Sequence, residues 1–216
     1  MQALLTTWTE QIHTAARQGH TLRIQGGNSK HFYGPATPSD AVLDTRAHSG
    51  IVSYEPSELV VTVRCGTPLA ELEAVLAEQG QCLAFEPPHF GDTATVGGMV
   101  ACGLAGPARA VVGGVRDHVL GMQMLNGKGE WLTFGGQVMK NVAGYDVSRV
   151  LAGSMGTLGV LTDVSLKVLP QAPDEVTLAC HLPQADALAL LHRWGAQPLP
   201  LNASCWVNDH HSQPAQ

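Results

Sequence analysis

Three glycine-rich segments constrain this chain more than any other feature of it. They read Gly26-Gly27-Asn28-Ser29-Lys30, Thr95-Val96-Gly97-Gly98-Met99-Val100-Ala101 and Gly153-Ser154-Met155-Gly156-Thr157-Leu158-Gly159-Val160. Glycine inside an ordered element loses more chain entropy than any other residue and contributes no packing surface. Where it recurs, something must approach the backbone closely, either another element of the chain or a ligand. The first loop follows a short strand expected over 21–25, and its N–H groups suit an oxyanion such as a diphosphate. The second sets paired glycines inside an apolar run, and the third sets glycine where a strand begins. Each alone reads equally well as a turn or as a helix that admits a close neighbour. Three together favour a ligand.

The ligand is of a restricted kind. None of the segments fits G-x-G-x-x-G between a strand and a helix, or G-x-x-x-x-G-K-[ST], so neither a Rossmann site nor a P-loop is indicated. No H-E-x-x-H, calcium-loop or G-x-S-x-G pattern is present, and the ten histidines are scattered, His210-His211 falling in a polar tail. No metal site is assigned. The five cysteines, Cys65, Cys82, Cys102, Cys180 and Cys205, are odd in number and contain no CxxC pair, so reduced thiols are expected and an iron–sulfur cluster is not. A formal charge of −6 with no basic run excludes a nucleic-acid footprint. With no run of about 18 apolar residues and no basic, apolar leader at the start, the expected address is the cytoplasm.

Periodicity supplies the framework of an α+β fold. Leu5, Trp8, Ile12, Ala15 and Ala16 recur at helical spacing before Gly19. Strands are expected over 51–54 and 59–63, paired across Glu55-Pro56-Ser57. A helix follows, with Thr67 as its cap, Pro68 at its first position, a stripe of Leu69, Leu72 and Leu76, and Gly80 as its stop. Further strands are expected over 81–85, over 118–125 and 130–134 about an Asn126-Gly127 reversal, and over 157–169, where Val164, Leu166 and Val168 alternate with Ser165 and Lys167. Asp146 is placed to cap a short helix ending at Ala152. After Gln171-Ala172-Pro173 come an expected strand and then a Leu/Ala-rich helix around 185–194. The expected division is a first domain over 1–170 and an incomplete second region over 171–216.

Four ordered motifs are recognisable: Glu86-Pro87-Pro88, Thr95-Val96-Gly97-Gly98, Lys140-Asn141-Val142-Ala143-Gly144-Tyr145-Asp146 and Gly156-Thr157-Leu158-Gly159-Val160. Together they resemble the FAD-binding domain of the vanillyl-alcohol oxidase and D-lactate dehydrogenase superfamily, the PCMH type. The wording of 25–30 and of Met99-Val100-Ala101-Cys102-Gly103-Leu104-Ala105-Gly106-Pro107 is similar to the FAD-binding subunits of bacterial glycolate oxidase. The resemblance covers about residues 20–170.

It implies FAD lying extended between two α+β subdomains. The diphosphate would rest on Gly26, Gly27, Asn28, Ser29 and Lys30 and on Thr95, Val96, Gly97 and Gly98. Pro88 and the stretch holding Ala101, Gly103 and Gly106 would line the flavin, and Gly159 and Val160 would meet the adenine end. Some relatives attach flavin through a histidine directly after the paired glycines; Asn28 stands there, with His31 three residues on, so non-covalent FAD is expected.

The resemblance further implies oxidation of a small 2-hydroxy acid, glycolate to glyoxylate, with electrons passed to a larger homologous flavin subunit and an iron–sulfur subunit. Membrane association would come only through those partners. Lys140 and Tyr145 belong to a motif near the flavin, but no catalytic base is named. Relatives carry further His, Arg or Glu residues beyond about residue 170, so the substrate region is expected to be incomplete. Two other readings remain: a non-catalytic flavin-domain partner that stabilises the larger subunit, and a stand-alone dehydrogenase for D-lactate or another 2-hydroxy acid.

Overall fold

A computed structural model describes residues 2–34, 38–137 and 146–208. The first helix, α1 (Gln2–Gln18), buries Leu5, Trp8, Ile12 and Ala15, one stripe at helical spacing. It ends where Gly19 turns left-handed at φ +67°, a conformation that only glycine adopts without strain. Two short strands, β1 (Leu22–Gln25) and β2 (Ala41–Asp44), pair in parallel, joined by the segment that carries the first glycine loop. Parallel pairing demands a crossover, and that loop is part of it.

The centre of the molecule is a five-stranded antiparallel sheet. It comprises β3 (Ile51–Glu55), β4 (Val60–Arg64), β6 (Val119–Leu125), β7 (Trp131–Gly135) and β8 (Val160–Lys167), in the order β3-β4-β8-β6-β7. The alternation expected in β8 is met only on one face: Val164 and Leu166 are fully buried, and Val168 after it is too, but the strand is buried on both faces as far as Leu166. Lys167 is half-exposed, but Ser165 is buried, its hydroxyl 2.8 Å from that of Thr62 on β4, because β8 is the middle strand and neither of its faces meets bulk water. A register shift between Gln123 and Met124 skips Thr162 in the β6–β8 pairing. As a result Leu161 joins Val164 and Leu166 in the main core, while Val160 packs with Leu125 under α1.

Helices α2 (Leu69–Ala77) and α3 (Val96–Cys102) pack on the main core through Leu69, Leu72, Leu76, Val96, Met99 and Val100. Thr67 does not cap α2. Pro68 occupies that position, and the Thr67 hydroxyl instead donates to the Arg64 carbonyl at 2.7 Å and accepts from the Gly50 N–H at 2.8 Å, stitching β4 to the turn before β3. The strand expected over 81–85 is only β5 (Gln81–Cys82), paired with β9 (Leu169–Pro170). The Asn126-Gly127 reversal is wider than a two-residue turn: Asn126 Oδ1 accepts from the N–H groups of Lys128 and Glu130, and Gly129 takes the left-handed turn.

Single turns α4 (Arg109–Val112) and α5 (Val115–His118) bridge from α3 to β6. Asp146 caps α6 (Val147–Leu151) as expected, accepting from the Arg149 N–H. The expected strand over 157–169 begins only at Val160, because the residues before it are a turn. In the last described stretch, 171–208, the strand expected after Pro173 does not form, its residues being exposed and without a strand to pair with; α7 (Gln184–Gly195) is the single helix and Ala187 the single buried residue.

Since Leu166 is fully buried in the middle strand, Leu166→Ala should destabilise the fold by about 2–5 kcal/mol. Urea unfolding followed by circular dichroism measures this, and a loss under about 1 kcal/mol would contradict β8 as the core strand.

Candidate cofactor site

The strand β1 delivers the first glycine loop against the segment that precedes α3. A methyl group on Gly26 would fall on the Thr95 hydroxyl, and one on Gly27 on the Thr93 carbonyl. The Thr93 hydroxyl donates to the Gly27 carbonyl at 2.6 Å and locks the two segments together. These glycines are required by the approach of another part of the chain. Beyond them Asn28 takes a left-handed conformation at φ +59°, which asparagine tolerates better than most residues.

The loop's donors point elsewhere. Among the described residues, the backbone N–H groups of Gly27, Asn28, Ser29 and Lys30 donate to nothing, and the side chains of Asn28 and Ser29 make no hydrogen bond. Consecutive uncommitted N–H groups around a left-handed residue form a concave anion cradle. The cradle fits a diphosphate.

The second segment differs from expectation. Its N–H groups are already committed: Val96 donates to Thr67, Gly97 to Cys65, Gly98 to the Thr95 hydroxyl and Met99 to the Thr95 carbonyl. They are not free for a diphosphate. Nor is the space beside Gly97 free, since a Cβ there would sit 2.8 Å from that of Cys65; its glycine admits the end of β4, not a ligand. Gly98 is different, with only the Thr95 hydroxyl at 3.2 Å beside it. Positions 98, 101 and 102 share one helical face, and Gly98, Ala101 and Cys102 are all half-exposed. α3 therefore buries Val96, Met99 and Val100 and leaves a face of small side chains bare.

That face is framed by the third segment. Gly153 and Met155 donate to the carbonyls of Val100 and Ala101, each at 2.9 Å. Gly103 ends α3 in a left-handed cap and meets Gly153, whereas Gly106 lies against Glu86, whose carboxylate accepts from the Ala108 N–H at 2.9 Å. Gly159 and Val160 line a cleft of about 240 Å³ with Leu22, Ile24, Leu43 and Leu125. This cleft is apolar and adjoins β1, the strand that carries the loop. Pro88 lines a different cavity, of about 690 Å³, with Glu73, Phe85, Glu86 and His89; no residue of the glycine loop lines it. The motif containing Lys140 and Tyr145 lies outside the described residues.

Lys30 reaches over this arrangement. Its Nζ lies 3.4 Å from the His89 carbonyl and 5.9 Å from the centre of the Phe90 ring, and Phe90 stacks edge-on with Phe32 at 5.0 Å. Burial lowers the Lys30 pKa, with the Cys102 thiol acting in the opposite direction; burial likewise raises that of Cys102. Thr93, His89 and Phe90 were not singled out by sequence, since nothing in their spacing marks them. The one available hint was the Pro87-Pro88 pair before them, which announces a rigid turn.

A model of the FAD-binding domain family matches residues 9–135. The chain belongs to that family. FAD is thus the cofactor of this domain, and the fold is the expected α+β FAD-binding domain. The chain is 51% identical over 209 residues to glycolate oxidase subunit GlcE of Escherichia coli strain K12, covering 96% of this chain and 58% of that one. It is 31% identical over 179 residues to a D-lactate dehydrogenase of Archaeoglobus fulgidus, covering 81% and 40%. With glycolate oxidase subunit GlcD of Bacillus subtilis it shares 29% over 182 residues, covering 83% and 38%. The chain spans little more than half the length of the first of these relatives and about two-fifths of the other two.

The two adjacent glycines of this FAD-binding domain should respond differently. Gly97→Ala overpacks the contact with Cys65 and should cost about 1–3 kcal/mol. Gly98→Ala gains up to about 1 kcal/mol of helix propensity against a methyl 3.2 Å from the Thr95 hydroxyl, so it should cost less stability than Gly97→Ala, yet weaken FAD uptake by placing a methyl on the partly exposed face. Denaturant unfolding beside FAD titration separates the two, and the idea fails if both variants behave alike. Cys102 supplies a second check: bound FAD should slow its alkylation by iodoacetamide, while the exposed Cys180 and Cys205 react at the same rate with and without FAD.

Proposed function

We propose that this chain is the FAD-binding part of a glycolate oxidase subunit that oxidises glycolate to glyoxylate and passes the electrons to partner subunits. The observation that carries this reading is the 51% identity to the E. coli glycolate oxidase subunit GlcE, extending over nearly the whole chain. The structure adds support through its donor set, because the uncommitted N–H row from Gly27 to Lys30 suits a diphosphate better than a neutral ligand.

On this reading the cofactor is FAD, held without a covalent bond, Asn28 standing where a histidyl attachment would require histidine. The cradle would take the diphosphate, and the apolar cleft at Leu22, Ile24, Gly159 and Val160 the adenine. The bare face of Gly98, Ala101 and Cys102, with Gly103 beyond, would take the ring system. Bound FAD supplies a two-electron acceptor for the hydride of a CH–OH group. The chain's own residues bind and orient. Gly26 and Gly27 bring the loop onto Thr93 and Thr95, and α3 sets the plane against which a flat ring rests.

We assign residues 1–170 to the FAD-binding domain and 171–216 to the start of a second, substrate region, consistent with Ala187 alone being buried in 171–208. A larger homologous flavin subunit is the first partner; the subunit name GlcD of the B. subtilis relative supports a multi-subunit enzyme. An iron–sulfur subunit would take the electrons onward. Among the described residues no helix is long and apolar enough to cross a membrane, and we place the complex in the cytoplasm, meeting a membrane only through partners. The likeness to the A. fulgidus D-lactate dehydrogenase favours a second reading, a D-2-hydroxy-acid dehydrogenase.

The purified chain should take up FAD and show a flavin spectrum, and acid precipitation should release the flavin into the supernatant. Anaerobic glycolate should bleach the flavin once the partner subunits are added. Bleaching by D-lactate and not by glycolate supports the second reading, and a chain that takes up no FAD refutes both.

A further inference from the structure

β7 forms one edge of the central sheet, and no strand among the described residues pairs with its outer side. The order β3-β4-β8-β6-β7 makes β3 and β7 the two edge strands. Asn126 donates to the Glu130 carbonyl at 3.1 Å and Gly136 to the Leu120 carbonyl at 3.2 Å, within one unbroken register between β6 and β7. Antiparallel pairs alternate between bonded and unbonded positions, so residues 130, 132, 134 and 136 face β6. The N–H and C=O of Trp131 and Thr133 and the N–H of Gly135 therefore point away from the sheet. No hydrogen bond among the described residues reaches them. Immediately after β7 the chain turns in over the sheet, where the Gln137 amide donates to the hydroxyls of Ser53 and Thr62, each at 3.1 Å.

An unpaired edge invites another strand, and native proteins blunt such edges with charge, proline or a bulge. β3 carries these devices: its register shifts between Ile51 and Ser53, its last residue is Glu55, and Pro56 follows. β7 carries none of them. Trp131-Leu132-Thr133-Phe134-Gly135 holds no charged residue and no proline, and its pairing with β6 has no register shift. The carboxylate just before it, Glu130, is drawn back onto the hairpin by the Asn126 amide at 2.7 Å. Leu132 and Phe134 turn toward the main core, whereas Thr133 is exposed and Trp131 is 47% exposed.

The residues along this edge define the partner. Thr133 is the middle of the outward row, and Gly135, left-handed at φ +68°, ends it. A two-fold axis through Thr133 sets Thr133 opposite Thr133 and Trp131 opposite Gly135 in an antiparallel pair. The two threonines then exchange both backbone hydrogen bonds, and each Gly135 N–H meets the Trp131 carbonyl of the other copy. The side-chain sizes are self-complementary as well. Each indole lies opposite a residue with no side chain, and threonine meets threonine, both favourable cross-strand pairs. Glu130 falls opposite Gly136, so no like charges oppose each other there. We infer that β7 is a docking edge for a second copy of this chain, the two copies pairing β7 to β7 about Thr133 into one continuous sheet. No residue of β7 belongs to the cofactor site, so the FAD reading stands or falls separately.

A short edge buries less area than a standard interface, so the pairing is weak and concentration-dependent. The test is sedimentation velocity of the purified chain over a roughly hundredfold range of concentration, with circular dichroism to check folding. The mean mass should rise from that of one chain toward that of two. It should rise more readily at high salt, since each copy carries a formal charge of −6 and the contact itself is uncharged. Thr133→Lys opposes two like charges across the axis and should weaken association by about tenfold or more, whereas Val52→Lys on the exposed edge strand β3 should leave it unchanged. Amide hydrogen exchange on the wild-type chain gives a readout that needs no variant. The amides of Trp131, Thr133 and Gly135 should slow as concentration rises, while those of Leu132 and Phe134, already bonded to β6, keep their rates. A chain that stays monomeric, an association that a folded Thr133→Lys leaves intact, or exchange at those three amides that ignores concentration overturns the inference. Pairing of this edge with a different protein while the chain alone stays monomeric overturns it too.

Discussion

The contact between the loop after β1 and the segment before α3 organises the rest of this molecule. Gly26 and Gly27 press their backbone against Thr95 and Thr93 so closely that no side chain fits between, and the Thr93 hydroxyl closes the contact with a hydrogen bond. Because the loop's carbonyl side is occupied in this way, the N–H groups of its following residues are left facing outward, unpaired. An unpaired backbone donor is tolerated at a surface and becomes an asset when an anion comes to it. One packing requirement thus generates the chemical property of the site.

α3 serves the same site by a different route. Its N-terminal donors are spent on Thr67, Cys65 and Thr95, which anchors it to the end of β4 and leaves nothing free for an anion. What it presents is shape. Its apolar side chains enter the core, and the face bearing Gly98, Ala101 and Cys102 stays bare, bordered by the turn at Gly153 to Met155 whose N–H groups hold the C-terminal end of the helix. Donor groups from the glycine loop and a surface of small side chains from α3 are complementary, which suits a ligand that is charged in one part and planar in another. The cleft at Gly159 and Val160 lies against β1, the strand that leads into the glycine loop.

The C-terminal stretch behaves otherwise. Val176 and Leu178 are about four-fifths exposed, and α7 buries Ala187 alone. The same stretch lies beyond the residues matched by the FAD-binding family model, 9–135.

Much of the framework was legible in the sequence. α1, the hairpin partners of the central sheet, the alternation in β8 and the Asp146 cap are all local patterns, dictated by side-chain period and by capping chemistry, and they needed no tertiary information. The glycine segments were legible too, as places where a backbone must be approached. What approaches them was not. Whether a glycine faces a ligand or another strand depends on residues far away in the chain, and only folding showed Gly97 turned toward Cys65 and Gly98 with the Thr95 hydroxyl as its one near neighbour. The same holds for Thr67, whose hydroxyl serves Arg64 and the distant Gly50 and not the helix start, and for β2, too short to announce itself. The sequence by itself determined that the backbone at its glycine-rich segments is closely approached, because the entropy lost at those glycines demands a close neighbour. Which glycines meet the chain itself, and which N–H groups remain free among the described residues, was decided by tertiary structure alone, since close contacts and hydrogen bonds are assigned between distant segments.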